Sequence, residues 1–394
     1  MYTGKIIFAQ IMDFLPRDVF DACVKRYRGN HQVKDFSCRD QFYAMAFAQL
    51  TLRDGLRGIQ ESLRANAHCL YHMGFRSKTI SRNTLAVANE NRYWQIYADF
   101  ALALMARARK LYENEPFALE LDAEVFALDS TTIDLCLARF PWTPSQQSKA
   151  AVKAHVLLNL RGNIPEFIYI SDGKTHDVNI LDQLEYQVGV YYLMDRGYVD
   201  FARLYNLHQQ RAFFVTRAKK HMKFVAVKSR PVEKMSGLRC DQSIRLTGQT
   251  TAKKYPESLR RIKYRDPETG RSLVFLTNDF ELPASMIAAL YKQRWQVELF
   301  FKWIKQHLKI KSFYGYSENA VRTQIWIAVA VYCLLAIIKK ELGGNRDLHE
   351  IQEILSVSIF QKMPIKQAFS RVKPKNKQNV SSNQLTLFDL CLGQ

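Results

Sequence analysis

Five short apolar runs between residues 124 and 218 decide the fold, and the first is EVFALDSTTIDLCLARF, residues 124–140. The other four are AVKAHVLLNLRG (151–162), EFIYISDG (166–173), VYYLMD (190–195) and AFFVTRA (212–218). These runs are rich in β-branched and aromatic residues and are separated by turn residues, which is typical of strands. Helical stretches lie between the third and fourth runs and between the fourth and fifth. The pattern predicts an α/β domain, a central sheet flanked by helices.

The region before this sheet has a different character. Residues 1–115 carry apolar residues at helical spacing, and we expect a helical N-terminal domain. Residues 52–94 predict a helix, a turn and a second helix, with Gly74 in the connection and Ser81 or Asn83 as the cap. The polar and basic second helix suits DNA reading, although an ordinary helical hairpin with a solvated face has the same pattern.

The rest of the chain predicts that the α/β domain covers residues 116–345 and is followed by a C-terminal part. Residues from about 217 to 278 are basic and form short apolar runs between polar turns, which indicates a β-rich insertion. One long helix is expected from about Pro283 to Ile310, and an apolar helix from about Glu318 to Leu342. Residues 346–394 are expected to form a C-terminal helix and a flexible tail.

Charge and composition restrict the class of protein. The chain of 394 residues has 57 Lys and Arg against 37 Asp and Glu, a net charge of +20, which favours a nucleic-acid partner. Seven cysteines without a C-x2-C pair argue against a disulfide framework or a zinc knuckle and suit the cytoplasm. No signal peptide is recognisable. The apolar run at residues 325–338 is too short to span a membrane easily and predicts a buried core helix.

Two aspartates occupy equivalent places in this pattern. Asp129 follows the apolar run VFAL, and Asp195 follows GVYYLM. The carboxyl ends of sheet strands are where open α/β folds place their sites. A single aspartate after a strand is more often a turn residue or a helix cap, but two at equivalent positions favour a site.

A third acid lies in the segment YKQRWQVELFFKWIKQHLKI, residues 291–310. On an ideal helix Tyr291, Arg294, Glu298 and Lys305 fall within an arc of about 60°. One helix face then presents a ring, a guanidinium, a carboxylate and an ammonium. The simpler interpretation is an ion pair between positions four residues apart.

Three carboxylates on an α/β core suit phosphodiester cleavage. Two Mg²⁺ ions roughly 4 Å apart neutralise the phosphate, activate the attacking oxygen and stabilise the leaving oxygen. Mg²⁺ prefers hard oxygen ligands, so Asp129, Asp195 and Glu298 are the candidate metal ligands. Arg294 and Lys305 would hold phosphates without transferring protons.

The pattern Y-x2-R-x3-E-x6-K formed by Tyr291, Arg294, Glu298 and Lys305 resembles the signature of a large group of bacterial insertion-sequence transposases. The motifs LDSTT (128–132) and MDRGY (194–198) resemble those of the same group, and the resemblance covers residues 5–345.

This resemblance implies a DDE enzyme with a ribonuclease-H-like core, preceded by helices that bind terminal inverted repeats. It implies that Asp129, Asp195 and Glu298 bind Mg²⁺, with Mn²⁺ as a substitute. It further implies that Tyr291, Arg294 and Lys305 contact the transposon end. The expected partners are double-stranded DNA, as transposon ends and target, and a second copy of the chain on that DNA. The expected location is the bacterial cytoplasm, at the nucleoid.

One feature departs from the family pattern. Members that form a hairpin use a tryptophan of the insertion to hold a flipped base, and residues 217–278 contain no Trp. Tyr255, Tyr264 or Phe275 could stack on a base instead. The departure puts the hairpin intermediate in doubt and leaves strand cleavage unaffected.

Other residues suggest a different metal site, and other functions would fit parts of this pattern. His155, His176 and Asp177 suggest a metal site, but the segment DGKTHD is better interpreted as a turn that ends a strand near the site. A non-enzymatic DNA-binding regulator derived from a transposase is the main alternative, and the intact acids argue against it. A metal-dependent nuclease without strand transfer would share the whole site.

The C-terminal tail contains QLTLFDL, residues 384–390. The order of Gln384, Leu385, Leu387 and Phe388 resembles the peptide by which bacterial replication proteins bind the DNA polymerase sliding clamp. Leu387 and Phe388 would fill an apolar pocket, and such a short anchor would bind with a Kd on the order of micromolar. A short segment that folds back on the domain is the simpler interpretation.

Overall fold

A computed structural model describes residues 4–135, 140, 150–307, 313–343 and 346–370. Within these residues nine strands form one sheet. The strands are β1 (Val125–Leu135), β2 (Ala150–Asn159), β3 (Ile164–Asp172), β4 (Tyr191–Met194), β5 (Phe213–Arg217), β6 (Phe224–Arg230), β7 (Leu238–Leu246), β8 (Leu259–Arg265) and β9 (Ser272–Thr277). The five apolar runs between residues 124 and 218 therefore contain β1 to β5, as predicted.

Helices lie before, between and after the strands. Those before β1 are α1 (Ile7–Met12), α2 (Arg17–Arg26), α3 (Cys38–Leu50), α4 (Leu56–Ala65), α5 (Arg82–Asn91) and α6 (Gln95–Tyr112). Those after it are α7 (Phe201–Gln209), α8 (Gln249–Lys254), α9 (Ala284–Gln293), α10 (Trp295–His307), α11 (Glu318–Leu342), α12 (Leu348–Ser358) and α13 (Ile365–Phe369). The predicted mixture of a sheet with flanking helices is confirmed.

The strand order across the sheet is β3-β2-β1-β4-β5-β9-β8-β7-β6. Strands β1, β4 and β5 are parallel, while β2 is antiparallel to both β1 and β3. Strand β9 pairs with β5 antiparallel, and β8, β7 and β6 follow as an antiparallel meander. The basic segment predicted as a β-rich insertion thus extends the central sheet at its β5 edge.

The two faces of the sheet are covered by different groups of residues. Along β1, Val125, Ala127 and Ile133 pack into a cluster that includes the long helices. The alternate residues Phe126 and Leu128 pack into a second cluster, on the side of α7. Because side chains alternate along a strand, residue parity decides which face a β1 side chain occupies.

Helix α11 lies at the centre of the first cluster. By length and composition it could cross a membrane, but 94% of its most apolar window is buried within the protein. The helix is apolar on all sides, as expected of a helix surrounded by other elements. It ends at Gly343, whose φ of +67° is the left-handed conformation that suits glycine at a helix end. The predicted buried core helix is confirmed.

The N-terminal helices pack directly on this helix. Tyr112 of α6 donates a hydrogen bond to the Ala336 carbonyl oxygen at 3.0 Å, and Arg107 pairs with Glu341 at 2.6 Å. Asn319 of α11 donates to the Asn89 carbonyl oxygen of α5 at 2.9 Å. Buried residues before and after the sheet therefore form one continuous hydrophobic cluster.

The segment expected to be helix, turn and helix contains α4 and α5, with intervening turns. Gly74 lies in this connection with a φ of +89°. The Ser81 hydroxyl accepts a hydrogen bond from the Thr84 amide at 3.1 Å and is the cap of α5. Of the two candidate caps, the structure selects Ser81.

Candidate functional site

Asp129 lies inside β1, whereas its position after the run VFAL had suggested the end of a strand. Parallel pairing of β1 with β4 ends at Leu128 and Met194, but β1 continues to Leu135 along its antiparallel neighbour β2. Asp129 and Asp195 are therefore the next residues after the last parallel pair. By strand alternation both belong to the face that α10 covers.

Asp195 begins a short 3₁₀ turn, Arg196–Tyr198, and its Oδ1 accepts a hydrogen bond from the Gly197 amide. A Cβ atom at Gly197 would come within 2.8 Å of that same oxygen. Glycine at this position therefore lets the backbone approach and orient the Asp195 carboxylate.

The helix predicted from Pro283 to Ile310 is interrupted at Arg294, which separates α9 from α10. The Arg294 amide donates to the Tyr291 carbonyl, and the Val297 amide donates to the Arg294 carbonyl, each at 3.2 Å. These bonds span three residues, as in a 3₁₀ helix, so the turn is tighter than in an α-helix. Arg294 itself keeps right-handed helical angles, with φ of −52° and ψ of −30°, so α10 follows α9 directly.

The Arg294 guanidinium bridges two of the acids. Its Nη1 donates to Asp129 Oδ2 at 2.8 Å, and its Nη2 donates to Glu298 Oε1. Burial raises the pKa of the Asp129 carboxyl. The carboxylates of Asp195 and Glu298 add to that rise, while the Ser130 amide and Arg294 oppose it.

The remaining two signature residues have different environments. Lys305 Nζ donates to the Thr132 carbonyl oxygen at 2.9 Å and so attaches α10 to β1. The bond from Arg294 to Asp129 attaches the residue just before α10 to the same strand. Tyr291 is 9% exposed, and its ring centroid lies 4.9 Å from that of Phe275. Burial raises the pKa of the Tyr291 hydroxyl.

The carboxylates of Asp129 and Glu298 are the described groups of the site that could hold a metal ion together. In the part of the chain that the structure describes, no three His, Cys, Asp or Glu side chains converge closely enough to enclose one. Asp129 and Glu298 nevertheless share one cation, the guanidinium of Arg294. Carboxylate oxygens are the ligands that Mg²⁺ prefers. By their chemistry, these oxygen donors therefore fit a hard divalent cation.

The three rings considered for base stacking are buried, which corrects that expectation. Tyr255 is 0% exposed, Phe275 1% and Tyr264 8%. Tyr255 donates to or accepts from His208 Nδ1 at 2.8 Å, in the cluster on the α7 side. Rings that fill a core cannot also stack on a base at the surface.

A second polar group lies on the opposite face of β1. Ser130 donates its hydroxyl to Asp177 Oδ1 at 2.8 Å, and Lys153 Nζ lies 3.1 Å from the same oxygen. His155 is fully buried, and its Nε2 lies 2.9 Å from Ser171 Oγ. The sequence drew attention to His155 and Asp177 but not to Ser130 or Lys153. Exposed His176 lies in the turn after β3, as predicted for DGKTHD.

Comparisons with known proteins agree with these features. A family model described as a transposase DDE domain matches residues 120–334, more than half of the chain. A model described as a domain of unknown function matches residues 3–76. The large mixed sheet and the DDE match together support a ribonuclease-H-like type of core.

Three curated relatives are transposases by name. A putative transposase of Sinorhizobium fredii is 32% identical over 299 residues, which are 74% of this chain and 81% of the relative. A probable transposase for an insertion sequence of Geobacillus stearothermophilus is 33% identical over 210 residues, 53% of this chain and 55% of that one. A putative insertion-sequence transposase of Synechocystis is 26% identical over 338 residues, 82% and 90% of the two chains.

Among solved structures, a piggyBac transposase synaptic complex with hairpin DNA aligns with a TM-score of 0.42 and 8% identity, covering 95% of this chain and 86% of that one. The family match over residues 120–334 and the extent of the curated relatives decide the assignment. The chain belongs to the DDE-domain transposases of insertion sequences.

Proposed function

We propose that the protein binds the terminal inverted repeats of an insertion sequence and catalyses metal-dependent strand cleavage and strand transfer. The observation that carries the proposal is that Asp129 and Glu298, from β1 and α10, share a single cation, Arg294. Asp195 follows the neighbouring parallel strand at the same level. Acids from three separate elements are thereby directed to one face of the core.

Asp129, Asp195 and Glu298 would hold the divalent ions in this proposal. When bound, Mg²⁺ or Mn²⁺ supplies charge neutralisation at the phosphate and activation of the attacking oxygen. Arg294, released from the two carboxylates, forks onto a phosphate of the transposon end. Lys305 holds another phosphate as a point charge. Tyr291 also contacts the transposon end in this proposal, and its ring lies 5.8 Å from the guanidinium carbon of Arg294.

An exposed ring beside the site is a candidate for base stacking, in place of the buried rings of the insertion. Trp295 is 56% exposed and directly follows Arg294. Aromatic side chains on a DNA-binding surface stack on unpaired bases with little sequence preference. We propose that Trp295 stacks on a base near the cleaved phosphodiester.

The decisive experiment compares strand cleavage and DNA binding on the same end substrate. Asp129→Asn, Asp195→Asn and Glu298→Gln should each abolish Mg²⁺-dependent cleavage and leave end binding largely intact, because shape survives and metal ligation does not. A variant with wild-type cleavage would remove its residue from the site. End binding without cleavage by the wild-type chain would instead favour the regulator, and cleavage without strand transfer would favour a nuclease.

Partners and location follow from this proposal. Two transposon ends must be joined, so we expect a homodimer on DNA, acting in the cytoplasm at the nucleoid.

The sliding-clamp segment at Gln384, Leu385, Leu387 and Phe388 lies outside the described residues and stays a prediction. A peptide of residues 380–394 titrated against purified clamp tests it. Binding that survives Leu387→Ala with Phe388→Ala, or no binding at high micromolar concentration, would end the idea.

A further inference from the structure

We propose that Asp177 is a positioning residue that holds Asp129 in its working orientation through Ser130. The inference rests on the proposed function, because it concerns how one of the proposed metal ligands is oriented. It assigns a role to a carboxylate on the face of the sheet opposite to Arg294 and Glu298.

The link between the two aspartates has two hydrogen bonds. The Ser130 amide donates to Asp129 Oδ1 at 2.8 Å, which directs that carboxylate. The Ser130 hydroxyl donates to Asp177 Oδ1, also at 2.8 Å. Because adjacent side chains of a strand point to opposite faces, Ser130 connects the two sides of the sheet at the level of Asp129.

Asp177 is itself held by groups from β2 and the turn after β3. Lys153 Nζ lies 3.1 Å from Asp177 Oδ1 and donates to the Thr175 carbonyl oxygen at 2.8 Å. The Lys153 side chain is only 13% exposed, so its pairing with Asp177 is shielded from solvent on the lysine side. The cation also offsets the charge of Asp177, which therefore adds little negative potential behind Asp129.

Residues of the neighbouring strand β2 lie next to the contact between Ser130 and Asp177. Ser130 is paired in register with His155 of β2, and Thr132 with Lys153. His155 is fully buried, and its Nδ1 lies 3.9 Å from Asp177 Oδ1. Asp177 therefore contacts residues of both strands at the level of the site. Loss of its carboxylate would remove the bond that restrains Ser130, whose amide directs Asp129.

The structure provides a matched control on the same segment. Asp182 lies in the same 3₁₀ segment, Asp177–Gln183, and pairs with Arg203 at 2.6 Å. Its carboxylate is 52% exposed and contacts neither Ser130 nor Lys153. Replacing it removes the same charge from the same segment without touching the link to Asp129.

The test measures end cleavage, end binding and Mn²⁺ binding to the free full-length protein. Asp177→Ala and Ser130→Ala should each lower kcat and weaken Mn²⁺ binding by about ten- to hundred-fold, as loss of groups that orient metal ligands does. The Kd for the transposon end should not change. The double variant should be no worse than either single variant, and Asp177→Asn should recover most activity because its amide oxygen still accepts from Ser130.

Asp182→Ala is expected to behave as the wild type in all three measurements. The proposal is overturned if Asp177→Ala matches Asp182→Ala, or if Ser130→Ala and Asp177→Ala are additive. If Asp177→Ala does not fold, Asp177→Asn and Ser130→Ala decide, and full activity of Ser130→Ala would contradict the proposal. A wild-type chain that fails to cleave would count against the proposed function instead.

Discussion

At the scale of single residues, Arg294 has the most unusual position in the site. Its side chain is 14% exposed and is held by Asp129 and Glu298, while its Nε has no hydrogen-bond partner among the described residues. A guanidinium between two carboxylates lowers the repulsion that they would otherwise exert on each other. Under the proposed function, this guanidinium leaves before a metal ion binds those oxygens.

Arg294→Ala should therefore have opposite effects on metal and on DNA. Mn²⁺ binding to the free protein should tighten several-fold, because the cation that competes for Asp129 and Glu298 is gone. The log–log slope of end binding against salt should fall by roughly one, because one phosphate contact is lost. Isothermal titration with Mn²⁺ and binding titrations at several salt concentrations measure the two effects.

Lys302→Ala is the control for a simple change in charge. Lys302 is exposed and lies one helical turn after Glu298, so its removal also makes the surroundings more negative. Equal tightening of Mn²⁺ binding by both variants would show that net charge, not competition for the carboxylates, is responsible.

At the scale of elements, the pair of β1 and β2 carries a buried imidazole. Burial lowers the pKa of His155 from 6.5 to about 4, with Lys153 acting in the same direction and Asp177 against it. The unfolded chain therefore binds a proton near pH 6.5 that the folded chain does not accept until about pH 4.

His155 should contribute a stability that is complete above pH 6.5 and is lost as the pH falls from 6.5 to about 4. Denaturant unfolding of wild type and His155→Gln between pH 4 and 8 measures this contribution as a difference. The gap between the two proteins should narrow by up to about 1.4 kcal/mol per pH unit within that window. A constant gap across the whole range would show that His155 does not titrate as burial requires.

A buried ion pair lies within the insertion, between β7 and β8. Arg260 of β8 and Asp241 of β7 form two hydrogen bonds, at 2.9 and 2.7 Å, and both side chains are at most 5% exposed. Arg260 also donates to the Leu282 carbonyl oxygen at 2.6 Å, just before α9. The pair thus joins the insertion to the segment that leads into the signature helices.

Asp241→Ala should lower the free energy of unfolding by about 3–5 kcal/mol, because it leaves the Arg260 charge buried without its partner. Asp182→Ala breaks an exposed pair and should cost less than about 1 kcal/mol. Denaturant unfolding of both variants provides the comparison. Similar small losses would mean that water reaches Arg260 in the folded protein.

At the scale of the whole molecule, α1 and α3 contact the segment of α12, and α3 and α12 both pack on α11. The Phe8 amide donates to the Ile359 carbonyl at 3.0 Å, and Gln352 of α12 donates to the Gln49 carbonyl at 3.0 Å. Helix α6 is joined to α11 by the Tyr112 and Arg107 contacts described above. The helices that we expect to bind DNA therefore share their hydrophobic cluster with the core that carries the acids.

A fragment of residues 1–115 should accordingly show no cooperative thermal transition, since the apolar surface of α6 loses the cover of α11. Circular dichroism melting of the fragment, with the full-length chain as control, tests this expectation. A sharp transition in the fragment would demonstrate that these helices fold as an independent domain.

Much of this protein follows from the sequence by itself. The short runs of β-branched and aromatic residues between turn residues identify β1 to β5, and an all-round apolar helix such as α11 has to be buried. The same runs predict that Asp129 and Asp195 follow equivalent apolar runs, although β1 continues past Asp129 to Leu135. Spacing also groups Arg294 with Glu298, since positions four apart on a helix are neighbours.

The tertiary structure alone decided the contacts between distant segments. Arg294 reaches Asp129 across 165 positions of the chain, and Ser130 reaches Asp177 across 47. Whether Tyr255, Tyr264 and Phe275 face solvent depends on which elements cover them, and α7 and α9 do so here. Local patterns describe a residue's own element, but burial and pairing depend on the neighbouring element, which periodicity does not identify.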